Sequence, residues 1–217
     1  MDIKTYESLK KSISEERLAV YKADGADEET AIARYIYNIE LCKAFYPLIN
    51  IFEVTLRNSM DNALVDFFNN AEWNNVIPLL SAELSMISDA NLKIKRNGKK
   101  YSHGRLVAEL TLGFWVALMG RKYNNQSFQY AIIKKCLHKC PANQKNSSAV
   151  QKNLAEIRYL RNRIAHWKDL EQKHDLLMNF ICWLNPDMHT IACKKDTFGD
   201  IFRQGIQPFL LFVENEL

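Results

Sequence analysis

Apolar residues recur every three or four positions along most of the chain, which is the spacing of one face of an α-helix. The clearest example runs from Ile49 to Phe67, where Phe52, Leu56 and Met60 fall on one side. The same spacing predicts further helices at about residues 6–21, 28–45, 106–119, 127–140, 176–184 and 198–214. A further predicted helix is capped by Ser147 or Ser148 and contains residues 156–167. The pattern therefore predicts an all-α protein, with a break or kink at Pro47.

Residues 69–104 interrupt this periodicity with two turn-rich runs, "NNAEWNN" and "KIKRNGKKYSHGR". The second run, Lys93–Arg105, has the highest density of Lys and Arg in the chain and is called the basic segment here. We expect one domain, residues 1–217, with a loop-rich region at about 69–104. The basic segment is interpreted as a solvated loop insertion, and contact with phosphate is the alternative.

Composition narrows the class of protein. Only 7 glycines and 5 prolines in 217 residues disfavour an all-β fold, which needs frequent turns. A formal net charge of +4 permits a nucleic-acid partner without requiring one.

Five cysteines, an odd number, indicate reduced thiols, and the first residues lack an apolar signal core, so we expect a cytoplasmic protein. No apolar run approaches the roughly 20 residues of a membrane span, so no membrane partner is expected.

One predicted helix, "EIRYLRNRIAHW" at residues 156–167, carries an unusual set of polar side chains. At about 100° per residue, its apolar side chains cluster on one arc that faces a core. The opposite side carries a stripe at i, i+4 and i+8, called the motif stripe here, which consists of Arg158, Asn162 and His166. Arg161 and Arg163 flank this stripe. A solvated face is one interpretation, and handling of a polyanion is the other.

The chemistry of the motif stripe suits RNA cleavage without a metal or another cofactor. Histidine exchanges protons near neutral pH, and arginine makes bidentate contacts with phosphate oxygens. These groups fit in-line attack of a 2′-hydroxyl on the neighbouring phosphate. Arg161 and His166 diverge by about 140° on an ideal helix. They meet at one phosphate only if the helix is irregular or a second copy supplies one of them, which indicates a dimeric site.

Three segments resemble known families. Arg161-Asn162-x3-His166 is similar to the Rx4–6H motif of HEPN domains, which are helical bundles that include many ribonucleases. Residues 34–64, with the core Phe52–Asn58, resemble the "lEv-LRN" helix of Abi-like (abortive infection) proteins. Residues 110–123, "LTLGFWVALMGRKY", resemble a further segment of that family. The three segments occur in the expected order.

The resemblance implies a HEPN-like helical bundle with additional helices and a basic loop insertion. It implies a homodimer with a composite active site and metal-independent endoribonuclease activity that leaves 2′,3′-cyclic phosphate and 5′-hydroxyl ends. The biological setting would be a toxin in phage defence, either abortive infection or toxin–antitoxin, with an RNA or protein antitoxin as a further partner.

Carried over by position, the resemblance also assigns roles to residues. Arg161 would stabilise the phosphorane oxygens, Asn162 would support the site and His166 would be the general acid or base. An upstream-helix residue would approach Arg161, and the candidates are Glu53, Arg57 and Asn58. Arg158 and Arg163 either bind the RNA backbone or are surface charge.

Other interpretations stay open at this point. The same fold could bind RNA or act as a scaffold without cleaving, or the motif stripe could simply face water. Glu53 and Arg57 could form an i, i+4 pair that only stabilises its helix. Cys136, His138 and Cys140 are poor evidence for zinc. Cys136 and Cys140 are expected to pack in the interior, as are the aromatic residues Phe114, Trp115 and Tyr123.

Overall fold

The structure is a computed structural model that describes residues 1–124, 126–162 and 169–217, without the side chain of Asn162. Over these residues it contains α-helices and short 3-10 turns and no β-strand, so the all-α prediction is confirmed. The helices are α1 Ile3–Ile13, α2 Glu15–Ala19, α3 Glu28–Phe68, α4 Ser81–Arg96, α5 His103–Glu109, α6 Leu112–Leu118, α7 Ser127–Cys136, α8 Ser147–Asn162, α9 Leu170–Leu184, α10 Pro186–Lys195, α11 Phe198–Gln204 and α12 Gln207–Glu216. In the described ranges, every helix is too short or too polar to cross a bilayer.

The chain divides into two compact units, and the expectation of one domain stays a prediction. Among the described residues, unit 1 comprises residues 1–47 and 195–217, and unit 2 comprises residues 48–162 and 169–194. The core of unit 1 is a cluster of buried side chains from α1, α2, α3 and α12, namely Tyr6, Leu18, Ile32, Ala33 and Val213. Unit 2 contains every described residue of the candidate site.

Aromatic side chains fill the core of unit 2. Phe52 of α3 packs edge-on against Phe180 of α9, with ring centroids 5.7 Å apart. Trp73 lies 6.0 Å from Trp115, and Phe114 packs edge-on against Trp115 at 5.2 Å. The side chains of Phe114, Trp115 and Tyr123 are at most 2% exposed, so the prediction that they pack in the core is confirmed. They are inaccessible to a stacking base.

Helix α3 continues through Pro47, so a break there is wrong, whereas the alternative of a kink stays a prediction. A proline inside a helix lacks the N–H that would bond the carbonyl four residues earlier. The apolar stripe continues on both sides of it, because Leu41, Phe45, Leu48 and Phe52 are all fully buried. Burial of this stripe outweighs the loss of one backbone hydrogen bond.

The apolar run at residues 106–119 also differs from the prediction of one helix. Helix α5 ends at Glu109, and α6 begins at Leu112 after an extended backbone at Leu110 and Thr111. Leu110 and Leu112 are each 5% exposed. The break turns both flanking apolar segments toward the core, a tertiary effect that periodicity alone does not reveal.

The region predicted to be loop-rich, at about residues 69–104, contains a full helix, so this expectation is wrong for residues 81–96. Helix α4 buries Ile87, Ala90 and Ile94, which recur at helical spacing. Its last turn carries Lys93, Lys95 and Arg96, where cations stabilise the helix dipole. The basic segment therefore begins inside a helix, and the turn-rich sequences at 69–75 and 97–102 flank that helix.

A buried carboxylate connects the start of α4 to the turn after α6. Glu83 is 1% exposed, forms an ion pair with Lys122 and accepts a hydrogen bond of 2.6 Å from the hydroxyl of Tyr123. The same hydroxyl accepts a hydrogen bond from the backbone N–H of Leu80 at 2.9 Å. Burial raises the pKa of Glu83, but the hydrogen bonds and positive charge of its partners outweigh burial and hold the pKa below its ordinary value.

This carboxylate makes stability dependent on pH. Because the folded-state pKa of Glu83 is lowered, its contribution is present above the unfolded value of 4.5 and is lost as the pH falls through the folded value. We expect Glu83→Gln to lower the free energy of unfolding at pH 7 by about 1–3 kcal/mol. The difference from the native protein should shrink below pH 4.5.

Urea unfolding followed by circular dichroism at neutral and acidic pH measures this difference. Glu156→Gln is a matched control, because Glu156 is exposed on α8. Equal urea midpoints for the native protein and Glu83→Gln at pH 7 would contradict the assigned role of Glu83.

Candidate functional site

Helix α8 carries the first half of the predicted motif. Its N-terminus is capped by Asn146, whose side-chain oxygen accepts a hydrogen bond of 3.0 Å from the N–H of Ala149. Ile157 and Leu160 are each 1% exposed, as the predicted apolar arc requires. Arg158 and Arg161 are exposed on the other side. The helix therefore presents its guanidinium groups to solvent while its apolar side anchors it.

Helix α3 faces this region with three polar side chains at i, i+4 and i+8, called the α3 stripe here: Glu53, Arg57 and Asp61. Positions four apart lie on one side of a helix, so the three side chains project in similar directions. At a rise of about 1.5 Å per residue, the stripe spans about 12 Å along the helix axis. Each member contacts a different partner.

Glu53 forms an ion pair with the Nε of Arg161. The side chain of Glu53 is 27% exposed and that of Arg161 is 48% exposed. The contacting oxygen of Glu53 is itself buried. The Arg161 side chain is half exposed, so the ion pair contributes roughly 0–1 kcal/mol to stability. Its larger effect is position: the contact at Nε places the carboxylate beside the guanidinium, and none of the described residues accepts a hydrogen bond from the terminal nitrogens of Arg161.

Arg57 does not pair with Glu53. Its Nη1 donates a hydrogen bond of 3.2 Å to the carbonyl oxygen of Ala108, near the end of α5. No ion pair joins Glu53 to Arg57 within the described part of the chain, so the structure does not support the alternative of an isolated i, i+4 pair. Asn58, the third upstream candidate, is exposed, and its side chain has no hydrogen-bond partner among the described residues.

Arg158 lies against the start of α6. A Cβ placed on Gly113 would be 3.6 Å from Nη2 of Arg158, so the guanidinium packs closely over this glycine. Gly113 belongs to the segment 110–123, and Glu53 belongs to Phe52–Asn58. Both segments that resemble Abi-like proteins therefore touch the helix that carries Arg158 and Arg161, although they are far apart in sequence.

The other end of the α3 stripe holds a network that the sequence analysis missed. One oxygen of Asp61, Oδ1, accepts a hydrogen bond of 2.6 Å from the indole N–H of Trp73 and lies 2.7 Å from Nε2 of His103. Trp73 is fully buried, and the His103 side chain is 16% exposed. The sequence did carry a signal for this carboxylate, because Asp61 follows Glu53 and Arg57 at the same four-residue spacing.

Part of the predicted site lies outside the described residues. This part comprises Arg163, His166 and the side chain of Asn162. The described part, called the described cluster here, comprises three arginines and one carboxylate on α3 and α8, namely Arg57, Arg158, Arg161 and Glu53. Such a cluster has an excess of positive charge and fits an anion at its exposed members, Arg158 and Arg161.

The cysteines of "CLHKCP" pack in the interior, as expected. Cys136 is 4% exposed, and its thiol donates to the carbonyl oxygen of Ser59 at 3.1 Å. Burial raises the pKa of the Cys136 thiol to about 12, so it stays protonated at neutral pH. Cys136 and Cys140 are both buried, so the contacts of these cysteines are those of interior packing.

Comparisons with known proteins give no match: no family model matches the chain, and searches of curated proteins and of solved structures find no significant similarity. The function of the site is therefore inferred from its geometry and from the motif resemblance.

The two ends of the α3 stripe should differ in their effect on stability. We expect Asp61→Ala to lower the free energy of unfolding by about 1–3 kcal/mol, because it leaves the buried indole N–H of Trp73 without an acceptor. Glu53→Ala should cost less than about 1 kcal/mol, because its partner Arg161 is half exposed. Urea unfolding measures both changes, and the reverse order would contradict the division into a structural end and an open end.

Proposed function

We propose that the protein is a metal-independent endoribonuclease of the HEPN type. The observation that carries the proposal is the ion pair between Glu53 and Arg161. The motif resemblance requires that an acidic or polar residue of an upstream helix approach the motif arginine, and Glu53 was one of three candidates. The proposal includes the finer fold assignment, a HEPN-like bundle related to Abi-like proteins, and is supported by the all-α architecture.

In the proposed reaction, a general base takes the proton of the ribose 2′-hydroxyl while the oxygen attacks the adjacent phosphorus. The bond to the 5′-oxygen breaks, and that oxygen leaves with a proton from a general acid. The products are a 2′,3′-cyclic phosphate and a 5′-hydroxyl. Arg161, oriented by Glu53, stabilises the extra charge on the non-bridging oxygens. His166 is the general acid or the general base, and Asn162 supports it.

Two copies of the chain would complete the site in this proposal. An ideal helix separates Arg161 and His166 by about 140°, so a second protomer most simply brings an imidazole to the phosphate held by Arg161. Arg158 and Arg163 would then hold neighbouring phosphates of the RNA. The biological role would be a cytoplasmic toxin in phage defence that an RNA or protein antitoxin keeps silent.

Non-catalytic RNA binding is the second candidate. The observation that favours it is the basic segment, Lys93–Arg105, which contains six Lys or Arg residues and no acidic residue. Such a surface binds a polyanion without cleaving it. The two candidates differ in one observable: new 5′-hydroxyl ends appear only if the protein is a nuclease.

Single-turnover cleavage of total RNA, with excess protein, tests the nuclease. We expect His166→Ala to lower the rate by about 10²–10⁴-fold, which is the usual contribution of a general acid or base. Arg161→Ala should lower the rate by about 10²-fold or more, as does removal of other oxyanion-stabilising donors. Cleavage by the native protein should continue in EDTA, and the fragments should carry 2′,3′-cyclic phosphates.

His138→Ala is the matched control for loss of an imidazole, because no role is assigned to His138. Thermal unfolding of each variant shows that it is folded. Undiminished cleavage by His166→Ala, or complete loss of activity in EDTA, would contradict the proposal. Tight RNA binding with no new 5′-hydroxyl ends would favour the non-catalytic candidate.

A further inference from the structure

The basic segment concentrates more positive charge than the whole chain carries. Its six Lys and Arg residues give it a formal charge of +6, whereas the chain has a net charge of +4, so all other residues together are net negative. Lys93 pairs with Glu109 at 2.7 Å. The remaining cations are exposed and have no carboxylate within ion-pair distance in the part of the chain that the structure describes; they are Lys95, Arg96, Lys99, Lys100 and Arg105.

The backbone that carries these cations is held in a defined shape. Helix α4 ends in a Schellman motif. The N–H of Lys99 donates a hydrogen bond of 3.2 Å to the carbonyl oxygen of Ile94, and the N–H of Gly98 donates one of 2.9 Å to the carbonyl oxygen of Lys95. Gly98 has the positive φ of 67° that this motif requires. Helix α5 then begins after Ser102, whose hydroxyl accepts from the backbone N–H at position 105 at 3.4 Å. The cations therefore project from a fixed turn.

The far side of this turn is connected to the candidate site. His103, inside the basic segment, contacts Asp61, and Ala108 at the other end of α5 accepts from Arg57. Both partners belong to the α3 stripe, whose third member, Glu53, holds Arg161. The anchors of the basic segment and of Arg161 are thus about 12 Å apart along α3.

We propose that the basic segment is a binding surface for the backbone of single-stranded RNA, continuous with the site at Arg161. The inference rests on the proposed function, because it assigns the surface to the RNA that the site would cleave. A strand whose phosphate lies at Arg161 then continues onto the basic segment, whose anchor on α3 is about 12 Å from that of Arg161. Lys95, Arg96, Lys99 and Lys100 bind its phosphates.

Tyr101 favours RNA over an anionic membrane as the partner. Tyr101 is 46% exposed between Lys100 and the start of α5, where a base can stack on its ring. Burial and then the charge of Glu72 raise the pKa of Tyr101, so its hydroxyl stays neutral at pH 7. Surfaces that bind membranes combine cations with several inserted apolar side chains, and between Lys95 and Arg105 Tyr101 is the only exposed large hydrophobic or aromatic side chain.

The test measures binding of a fluorescein-labelled oligouridylate by anisotropy over a series of KCl concentrations. The starting protein is the full chain with His166→Ala, which removes the proposed acid or base and keeps the cations. The test variant adds four substitutions, Lys95→Gln, Arg96→Gln, Lys99→Gln and Lys100→Gln. Each phosphate contact adds about 0.7 to the slope of log K against log salt, so the slope should fall by up to roughly 3. Binding should weaken at least about tenfold at moderate salt.

The matched control removes four exposed cations elsewhere, Lys4, Lys11, Lys194 and Lys195, by the same change to Gln. It alters net charge equally and should bind nearly as well as the starting protein. Circular dichroism shows whether each variant is folded. If the fourfold variant does not fold, the double variant Lys99→Gln and Lys100→Gln should give about half the change in slope.

Equal weakening in the test and control variants would overturn the proposal, because net charge alone would explain it. Unchanged binding in the test variant, or no binding of RNA by the starting protein, would also overturn it. So would binding only to vesicles that contain phosphatidylserine. Tyr101→Ala should weaken binding without changing the salt slope.

Cleavage by chains with His166 intact separates this inference from the nuclease proposal. If the native chain binds RNA through the basic segment but yields no new 5′-hydroxyl ends, RNA binding by this segment is supported and the nuclease proposal is contradicted. If the fourfold variant cleaves the oligonucleotide with an unchanged KM, the nuclease proposal is supported and RNA binding by the basic segment is contradicted. A raised KM with a nearly unchanged kcat supports both.

Discussion

The α3 stripe determines how the other parts of the candidate site are placed. Glu53 holds the guanidinium of Arg161, Arg57 donates to the carbonyl of Ala108, and Asp61 joins Trp73 and His103. One face of one helix thus positions the motif helix α8 and both ends of α5. Because a helix is rigid over two turns, these three contacts have fixed spacing along its axis.

The contacts of the stripe change in character along its length. At Asp61 the partners are buried, so the hydrogen bonds replace solvation and their loss is costly. At Glu53 the partner is half exposed, so the pair adds little stability but leaves the terminal nitrogens of Arg161 reachable. The buried contacts at Asp61 therefore stabilise the fold, and the contact at Glu53 holds Arg161 at the surface. This arrangement suits a site whose reactive arginine must be accessible.

Exposed cations lie near both ends of the stripe. Arg158 and Arg161 project from α8, and the basic segment projects from the turn between α4 and α5. Glu53 is the one carboxylate assigned to the described cluster, and it contacts Arg161 through Nε. In our account Glu53 therefore orients the guanidinium toward a phosphate without preventing it from binding one.

The sequence predicted the helical class, the buried side of α8 and the aromatic core, because each depends on local periodicity and apolar content. The motif resemblance narrowed the partner of Arg161 to Glu53, Arg57 or Asn58, but only tertiary contacts select Glu53. The sequence pattern has a limit as well. It missed α4, since the flanking Asn, Gly and Lys residues hide the pattern of Ile87, Ala90 and Ile94. The pairing of His103 with Asp61 joins positions 42 residues apart, which no local spacing encodes.

The most direct test of the central claim is the single-turnover rate of RNA cleavage by Glu53→Gln, compared with the native protein. Glutamine keeps the size of the side chain and removes the charge that orients Arg161. If Glu53 positions the reactive arginine, the rate should fall about tenfold to a hundredfold while the thermal midpoint changes little. Equal rates for the two proteins would contradict the account.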